Sequence, residues 1–216
     1  MDKQNRDWDQ FWRHSHFAEA HLSWSKRRIL HVLEPYAQKG LKALDAGCGS
    51  GFFSAYFCDR GMDTTAIDYS EKSIKLTESI TCNRAKTYNC DMMANGFAKR
   101  FPHKFDLIFT DGLFEHFACD DQNELLNNLK SVLDPNGHII TFVPNLFSPW
   151  TIIRPFLMPG IEEKPFTIKE LRSLNLRNDL KVIASGGINT LPWRLSLEGP
   201  LAAYTGMLLY TISQSV

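Results

Sequence analysis

The sequence lacks several features that would place it in a special class. None of its apolar runs reaches the roughly 18 residues that a membrane-spanning helix needs. It has no net charge, with 24 basic and 24 acidic residues, so a broad basic surface for nucleic acid is not expected. Residues 1–12 are too polar for a signal peptide. The sequence therefore predicts a cytoplasmic protein with no membrane span and no nucleic-acid partner.

Cysteine pairs are also absent. The five cysteines are scattered along the chain, and no two of them form a Cys-x-x-Cys motif. An odd number without a disulfide framework favours reduced thiols in a cytoplasm.

What is present is enough for one globular domain. The chain has 216 residues, of which 44% are apolar and 22% charged. We expect a single domain over 1–216, with an amino-terminal arm at 1–21 and a core at 22–145. Two insertions, 146–165 and 190–206, are expected to form a cap over a binding pocket. The sequence does not indicate an oligomeric state.

Predicted strands and helices alternate through the core. Strands are predicted at 41–45, 63–68, 85–90, 105–110, 138–143, 180–184 and 207–213. Helices are predicted at 25–38, 52–60, 123–133 and 167–176, the last of which begins with a capping box of Thr167 and Glu170. One more helix is predicted to begin after Ser70, its N-cap. A turn is predicted at 134–137, and the cationic run 26–28 is expected to be solvated. The alternation predicts an α/β fold, a parallel sheet with helices on both faces.

A glycine-rich turn joins the first strand of this core to the following helix. Gly47, Gly49 and Gly51 stand at alternate positions, where glycine allows a positive φ and a close approach of the backbone to a ligand. The free N–H groups at the helix start favour a phosphate or a carboxylate. The alternative is a tight turn that only packs the helix on the sheet.

Polar residues stand at the carboxyl ends of five predicted strands, the edge at which open parallel sheets bind ligands. They are Asp45, Asp68, Asp91, Asp111 and Asn145. Asp68 could accept hydrogen bonds from a ribose diol, and Asp91 could accept one from an adenine amino group. The backbone N–H of Met92 could reach a ring nitrogen of the base.

The spacing of the glycines argues against a dinucleotide. The dinucleotide fingerprint has its third glycine one position later, where this chain has Phe52. A ligand whose amino-acid group meets the turn needs a less close approach than a pyrophosphate does. Asp45, at the start of the turn, is placed to attract the ammonium of such a ligand.

Taken together, these segments resemble the class I S-adenosylmethionine-dependent methyltransferases, in the small-molecule branch similar to the ubiquinone and menaquinone methyltransferases. The matching segments are 44–51, 66–70, 89–92, 105–116 and 132–138. The resemblance implies a Rossmann-like sheet of seven mostly parallel strands whose last strand is antiparallel. It also implies S-adenosyl-L-methionine as cofactor, bound by Asp45, Gly47, Cys48, Gly49, Gly51, Asp68, Tyr69, Asp91, Met92 and Asp111.

The expected activity is therefore methyl transfer to a small-molecule acceptor by in-line displacement. The apolar segment 147–158 suggests an apolar or aromatic acceptor. His116 is the candidate catalytic base, with Glu115, His14 and His16 as other candidates, and a structural role for His116 as the alternative. The residues expected to contact the acceptor are Trp12, His16, His116, Asn145 and Trp150.

Other interpretations stay open at this point. The arm could only dock its aromatic residues on the core, and its His14-x-His16 pair lacks an evident third metal ligand, so no metal site is predicted. A nicotinamide-dependent oxidoreductase is a second candidate function, which Phe52 disfavours. A third is a non-catalytic module that binds a partner through the apolar segment 150–158.

Overall fold

The sheet anticipated from the sequence is present and has seven strands. The computed structural model describes residues 23–149, 151, 163–190 and 202–216. The strands are β1 (Lys42–Ala46), β2 (Asp63–Asp68), β3 (Lys86–Asn89), β4 (Phe105–Asp111), β5 (Leu133–Pro144), β6 (Leu180–Ile188) and β7 (Leu208–Ser215). Their order across the sheet is β3-β2-β1-β4-β5-β7-β6. The last strand, β7, runs antiparallel to both of its neighbours, which confirms the predicted topology.

Helices cover the sheet on both faces. They are α1 (Trp24–Leu33), α2 (Phe52–Asp59), α3 (Glu71–Thr81), α4 (Cys119–Ser131), α5 (Ile168–Arg177) and the short α6 (Ala202–Thr205). Two further turns have 3-10 geometry, Phe97–Arg100 and Phe114–His116. None of the described helices is long and apolar enough to cross a membrane.

The period-two pattern of the strands divides the core into two clusters. Leu44 and Ile108 belong to the cluster that α4 and α5 cover. Ala43 and Phe109 belong to the opposite cluster, which α1 and α2 cover. Because neighbouring residues of a strand face opposite sides, central strands with both faces covered are apolar throughout.

The predicted turn at 134–137 lies inside β5 as a bulge. Leu133 pairs with Phe105, and the next paired residue, His138, is opposite Leu107. Asp134 Oδ1 accepts a hydrogen bond from the backbone of Asn136 at 2.9 Å, the local turn that its residue type favours. The turn chemistry was predicted correctly, whereas the pairing of Leu133 across it was not predicted.

Helix ends follow local capping signals where such signals exist. Ser70 caps α3 as predicted, since its hydroxyl accepts from the backbone of Ser73. Thr167 and Glu170 form the predicted capping box of α5. The predicted start of α4 at residue 123 is wrong, because that helix begins at Cys119. Its preceding residue, Ala118, offers no side-chain cap from which the start could be recognised.

The proposed arm and most of the proposed cap lie outside the described residues, so the predicted domain boundaries stay predictions. Of the first insertion, residues 146–149, 151 and 163–165 are described, and Phe147 is 60% exposed. All five cysteines are described, and none is in a disulfide.

Candidate functional site

The glycine turn follows β1 and is hydrogen-bonded to the end of β2. Gly47, Gly49 and Gly51 all have positive φ, at 77°, 52° and 79°. The backbone N–H groups of Gly47 and Cys48 both donate to the carbonyl of Ile67, at 2.9 and 3.0 Å. This conformation is open to glycine and costly for residues with a side chain, so the alternate spacing predicted from the sequence is a requirement of the turn itself.

A cavity of about 550 Å³ lies above this turn, at the carboxyl ends of the strands. Its walls include nine of the ten residues predicted to bind a cofactor: Asp45, Gly47, Cys48, Gly49, Asp68, Tyr69, Asp91, Met92 and Asp111. The topology brings them together because parallel strands end at one edge of the sheet.

Gly51, the tenth residue, is not among the residues that line the cavity. A Cβ atom at this position would lie 2.6 Å from the Cα of Thr77 in α3. The hydroxyl of Thr77 also lies 3.3 Å from the sulfur of Cys48, whose pKa is raised well above its usual value by burial. Gly51 therefore allows α2 and α3 to pack closely under the turn.

Asp68 is held in a fixed orientation by two backbone donors. The N–H of Gly49 donates to its Oδ2 at 2.9 Å, and the N–H of Ser70 donates to its Oδ1 at 2.8 Å. A carboxylate has about four acceptor positions, so one group can accept from its own backbone donors and from a ligand. Asp68 can therefore serve as the acceptor for a diol.

Asp91 and Met92 form a similar local arrangement at the end of β3. Asp91 Oδ1 accepts from the N–H of Met93 at 2.8 Å. The carbonyl of Met92 accepts from the side chain of Asn128 at 2.9 Å, which ties this loop to α4. Met92 is buried, and it offers an apolar surface to a flat ring.

Asp45 is the most deeply buried acid of the cavity, with 2% of its surface exposed. Burial raises the pKa of its carboxyl group to about 7, and the nearby charges of Asp111 and Asp68 add to this effect. The hydroxyl of Ser54 donates to Asp45 Oδ2 at 2.5 Å and opposes the shift. A cationic group beside Asp45 would favour the ionised form.

Lys26 lines the same cavity, and the sequence did not indicate this. The run 26–28 was expected to be solvated, but the Nζ of Lys26 lies 4.2 Å from the centroid of the Phe52 ring. Burial lowers the pKa of Lys26, while the charge of Asp111 raises it. The available signal was its position three and four residues before Ile29 and Leu30, which pack on the core and so place Lys26 near the buried side of α1.

His116, the predicted catalytic base, also lines the cavity and lies in the 3-10 turn that follows β4. Its Nε2 is 3.7 Å from Glu163 Oε1, and their side chains are only 6% and 7% exposed. Ligand atoms of Glu115, His116 and Glu163 all lie within 4.8 Å of one another. The sequence did not group Glu163 with His116, because 47 positions separate them and no local pattern links them.

The side chain of Asn145 is not part of the cluster of Glu115, His116 and Glu163. Its side-chain N–H donates to the carbonyl of Gly206 at 2.8 Å, and its Oδ1 accepts from the N–H of Phe147 at 3.2 Å. Asn145 therefore connects the end of β5 to the segment before β7, and it is not among the residues that line the cavity. Trp12, His16 and Trp150 lie outside the described residues, as do His14 and residues 152–162.

A known family model matches part of this chain. Residues 44–141, which include the glycine turn, Asp68, Asp91 and His116, match the family model of a methyltransferase domain.

Curated relatives resemble only part of the chain. A ubiquinone biosynthesis O-methyltransferase of Leptothrix cholodnii is 25% identical over 135 residues, which cover 56% of this chain and 57% of that protein. The chain spans about half the length of the curated relatives that it matches, with 57%, 41% and 42% covered in three of them.

Solved structures resemble the chain along nearly its whole length. A methyltransferase from Archaeoglobus fulgidus, described as dependent on S-adenosylmethionine, superposes with a TM-score of 0.72 at 17% identity and covers 99% of this chain and 100% of that one. The N-methyltransferase NodS from Bradyrhizobium japonicum, in complex with S-adenosylhomocysteine, gives 0.71 at 14% identity, with 99% of each chain covered. At these identities the superpositions establish a shared fold.

Proposed function

We propose that this chain, which carries a class I S-adenosylmethionine-dependent methyltransferase domain, transfers a methyl group from S-adenosylmethionine to a small organic acceptor. The observation that carries the proposal is the cavity, where the glycine turn, Asp68 and Asp91 meet at one edge of the sheet. Its volume of about 550 Å³ lies within the range of small-molecule sites.

The donors and acceptors of the cavity fit this cofactor. Asp68 would accept from the ribose hydroxyls, because its orientation is already fixed by Gly49 and Ser70. Asp91 and Met92 would hold the adenine, one through hydrogen bonding and the other through apolar contact. Asp45 would face the ammonium of the amino-acid group, since a nearby cation would offset the cost of burying its carboxylate charge.

Lys26 would hold the carboxylate of the same amino-acid group. Its ammonium lies over Phe52, the first residue of α2, and therefore beside the helix start that follows the glycine turn. A carboxylate there would meet both a positive side chain and the free N–H groups of the helix. Lys26 and Asp45 together would thus orient the zwitterion.

When bound, S-adenosylmethionine supplies a methyl group on a positively charged sulfonium, which an acceptor atom displaces in line. The chain's part is to position the two reactants, to exclude water and, for an acceptor that carries a proton, to remove that proton. We assign the last role to His116, which is the imidazole lining the cavity among the described residues.

The surroundings of His116 support an acceptor with an apolar body. Leu113, Phe117 and Met93 line the same cavity as His116. An apolar or aromatic ring that carries a hydroxyl or an amine would match these walls and bring its acidic proton to the imidazole. A panel of phenols, amines and carboxylic acids, assayed with radiolabelled S-adenosylmethionine, would identify the class.

Calorimetry with S-adenosylhomocysteine tests the cofactor assignment. We expect binding by the unaltered protein and a loss of affinity of about a hundredfold in the Asp68→Ala variant, because hydrogen bonds to a charged group contribute roughly 1.5–3 kcal/mol each. Asp63→Ala is the matched control, since Asp63 begins the same strand and pairs on the surface with Lys86. Absence of binding, tighter binding of NAD, or equal affinities in the two variants would refute the assignment.

A further inference from the structure

We propose that Glu163 is a positioning residue for His116: its carboxylate lies beside Nε2 of the imidazole and stabilises the ring after it has taken up the acceptor's proton. This inference rests on the proposed methyl transfer. It concerns a residue that lies outside the matched methyltransferase domain, which ends at 141.

The geometry singles out this carboxylate. Glu163 Oε1 lies 3.7 Å from His116 Nε2, in surroundings where both side chains are more than nine-tenths buried. At that separation a charge interaction is strong, because little water is present to screen it. The negative charge beside Nε2 favours the protonated form of the ring over its neutral form.

Hydrogen bonds to backbone groups fix the positions of Glu163 and His116 relative to each other. The N–H of Lys164 donates to the carbonyl of Glu115 at 2.9 Å, which fixes the residue after Glu163 against the residue before His116. On the other side, Gln122 Nε2 donates to the carbonyls of Phe114 and Phe117, at 3.1 and 3.0 Å. The 3-10 turn that bears His116 is thus attached both to the segment before α5 and to α4.

Other charged groups surround the imidazole from the neighbouring elements. Glu115 contributes a carboxylate from the same turn. Asp111 from β4, Asp121 from α4 and Lys26 from α1 line the same cavity as His116. Among the described residues, Glu163 is the acid that forms an ion-pair contact with the ring, which is why we assign the positioning role to it.

The chemical consequence is a balanced movement of one proton. The acceptor's O–H or N–H bond breaks, its electron pair stays on the acceptor atom, and the proton passes to the imidazole of His116. The ring then carries one positive charge, which the negative charge of Glu163 stabilises in a site that contains little water. The proton leaves to solvent when the ring returns to its neutral form.

The first test needs no acceptor. In the complex of the full chain with S-adenosylhomocysteine, the ring signals of His116 are followed by NMR against pH. We expect the midpoint of this titration to be lower in Glu163→Gln than in the unaltered protein, since the substitution removes the negative charge beside Nε2. Glu163→Asp is expected to restore most of the shift. Glu124→Gln, which removes an exposed acid of α4, is expected to leave the midpoint unchanged.

The second test is kinetic and uses an acceptor identified in the panel. Glu163→Gln is expected to lower kcat at least tenfold, with the KM for S-adenosylmethionine within twofold, and to move the acidic limb of the pH profile in the direction of the NMR midpoint. A merely structural role would lower stability without moving either quantity in folded protein.

Three results would overturn the inference. The first is an unchanged His116 midpoint in a Glu163→Gln variant that still binds S-adenosylhomocysteine. The second is an equal shift in Glu124→Gln. The third is one equivalent of a divalent metal retained by the protein, which would mean that the three side chains serve as ligands. Failure of the proposed function is distinguishable, because the unaltered protein would then not bind S-adenosylhomocysteine.

Discussion

The two halves of the cavity are built in different ways. In the turn half, formed by residues 45–93, backbone N–H groups hold Asp68 and Asp91, and the hydroxyl of Ser54 holds Asp45. In the assembled half, Lys26 from α1 and His116 from the turn after β4 line the cavity, and Glu163, from the segment before α5, lies 3.7 Å from His116. The turn half resembles one continuous motif, whereas the assembled half exists only because distant segments meet.

The difference separates two tasks. A cofactor that is the same in every turnover can be held by a fixed set of backbone and carboxylate groups. An acceptor differs from one enzyme to another, and His116 and Glu163, the assembled residues assigned to it, come from segments that can vary without disturbing the turn. We therefore expect substitutions in the turn half to change stability and cofactor affinity together, and those in the assembled half to change binding or turnover alone.

The largest effect is expected for Gly51→Ala. The new Cβ would lie 2.6 Å from the Cα of Thr77, on a residue with φ of 79°. Left-handed backbone costs about 1–2 kcal/mol and overpacking about 1–3 kcal/mol, so the free energy of unfolding should fall by about 2–5 kcal/mol. Urea denaturation would measure this loss.

Gly40→Ala is the matched control for that experiment. Gly40 has a similar φ of 85°, but no atom lies within 4 Å of the position of its Cβ. Its variant should lose only about 1–2 kcal/mol, the cost of the backbone conformation. Equal losses in both variants would mean that the contact with Thr77 is not the reason for glycine at position 51.

An intermediate effect is expected from pH in the same half. Since the pKa of Asp45 is raised to about 7, the fraction of ionised Asp45 falls below that pH. If the carboxylate is the form that meets the ammonium, the affinity for S-adenosylhomocysteine should be about tenfold lower at pH 6 than at pH 8. Calorimetry at several pH values would measure it.

Asp45→Asn should bind more weakly than the unaltered protein at pH 8, and its affinity should vary much less between pH 6 and 8. A dependence of the same size in this variant would assign the titration to another group, such as His116.

The smallest effect is expected in the assembled half, at Lys26. Lys26→Met should lower the affinity for S-adenosylhomocysteine about fivefold, which corresponds to about 1 kcal/mol for a partly exposed ion pair. Its unfolding free energy should change little. Arg27→Met is the matched control, because Arg27 is an exposed cation on the same helix that stacks on Trp24, with its guanidinium carbon 5.5 Å from the ring centroid. If both variants bind like the unaltered protein, Lys26 does not contact the ligand.

Sequence patterns were most accurate for features that one short segment of the chain determines. The bounds of β2 were predicted without error, because its apolar run begins and ends at an aspartate. The cap at Ser70 and the capping box at Thr167 and Glu170 were likewise found from residue type and spacing. The start of α4 was misplaced because its first turn, which has Asp120 and Asp121, shows neither an apolar stripe nor a capping side chain.

Sequence patterns were least accurate for side chains whose role depends on which residues pack against them. Gly51 has the residue type of a ligand-binding turn, but only the position of Thr77 shows that it serves helix packing. Asn145 stands at a predicted strand end like the four aspartates, yet its side-chain amide is hydrogen-bonded to the backbone of Gly206 and Phe147. Lys26 stands in a run of three cations, and only the fold places it in the cavity.

The sequence by itself determined the alternation of strands and helices, the conformation of the glycine turn and the row of acids at the strand ends, because these follow from backbone preferences and hydrophobic periodicity over a few residues. The tertiary structure alone decided which of those groups share a cavity, which acid is buried deeply enough to titrate near neutrality, and which carboxylate faces His116. Burial and electrostatic interaction depend on distances in space, and residues 116 and 163 become neighbours only when the chain has folded.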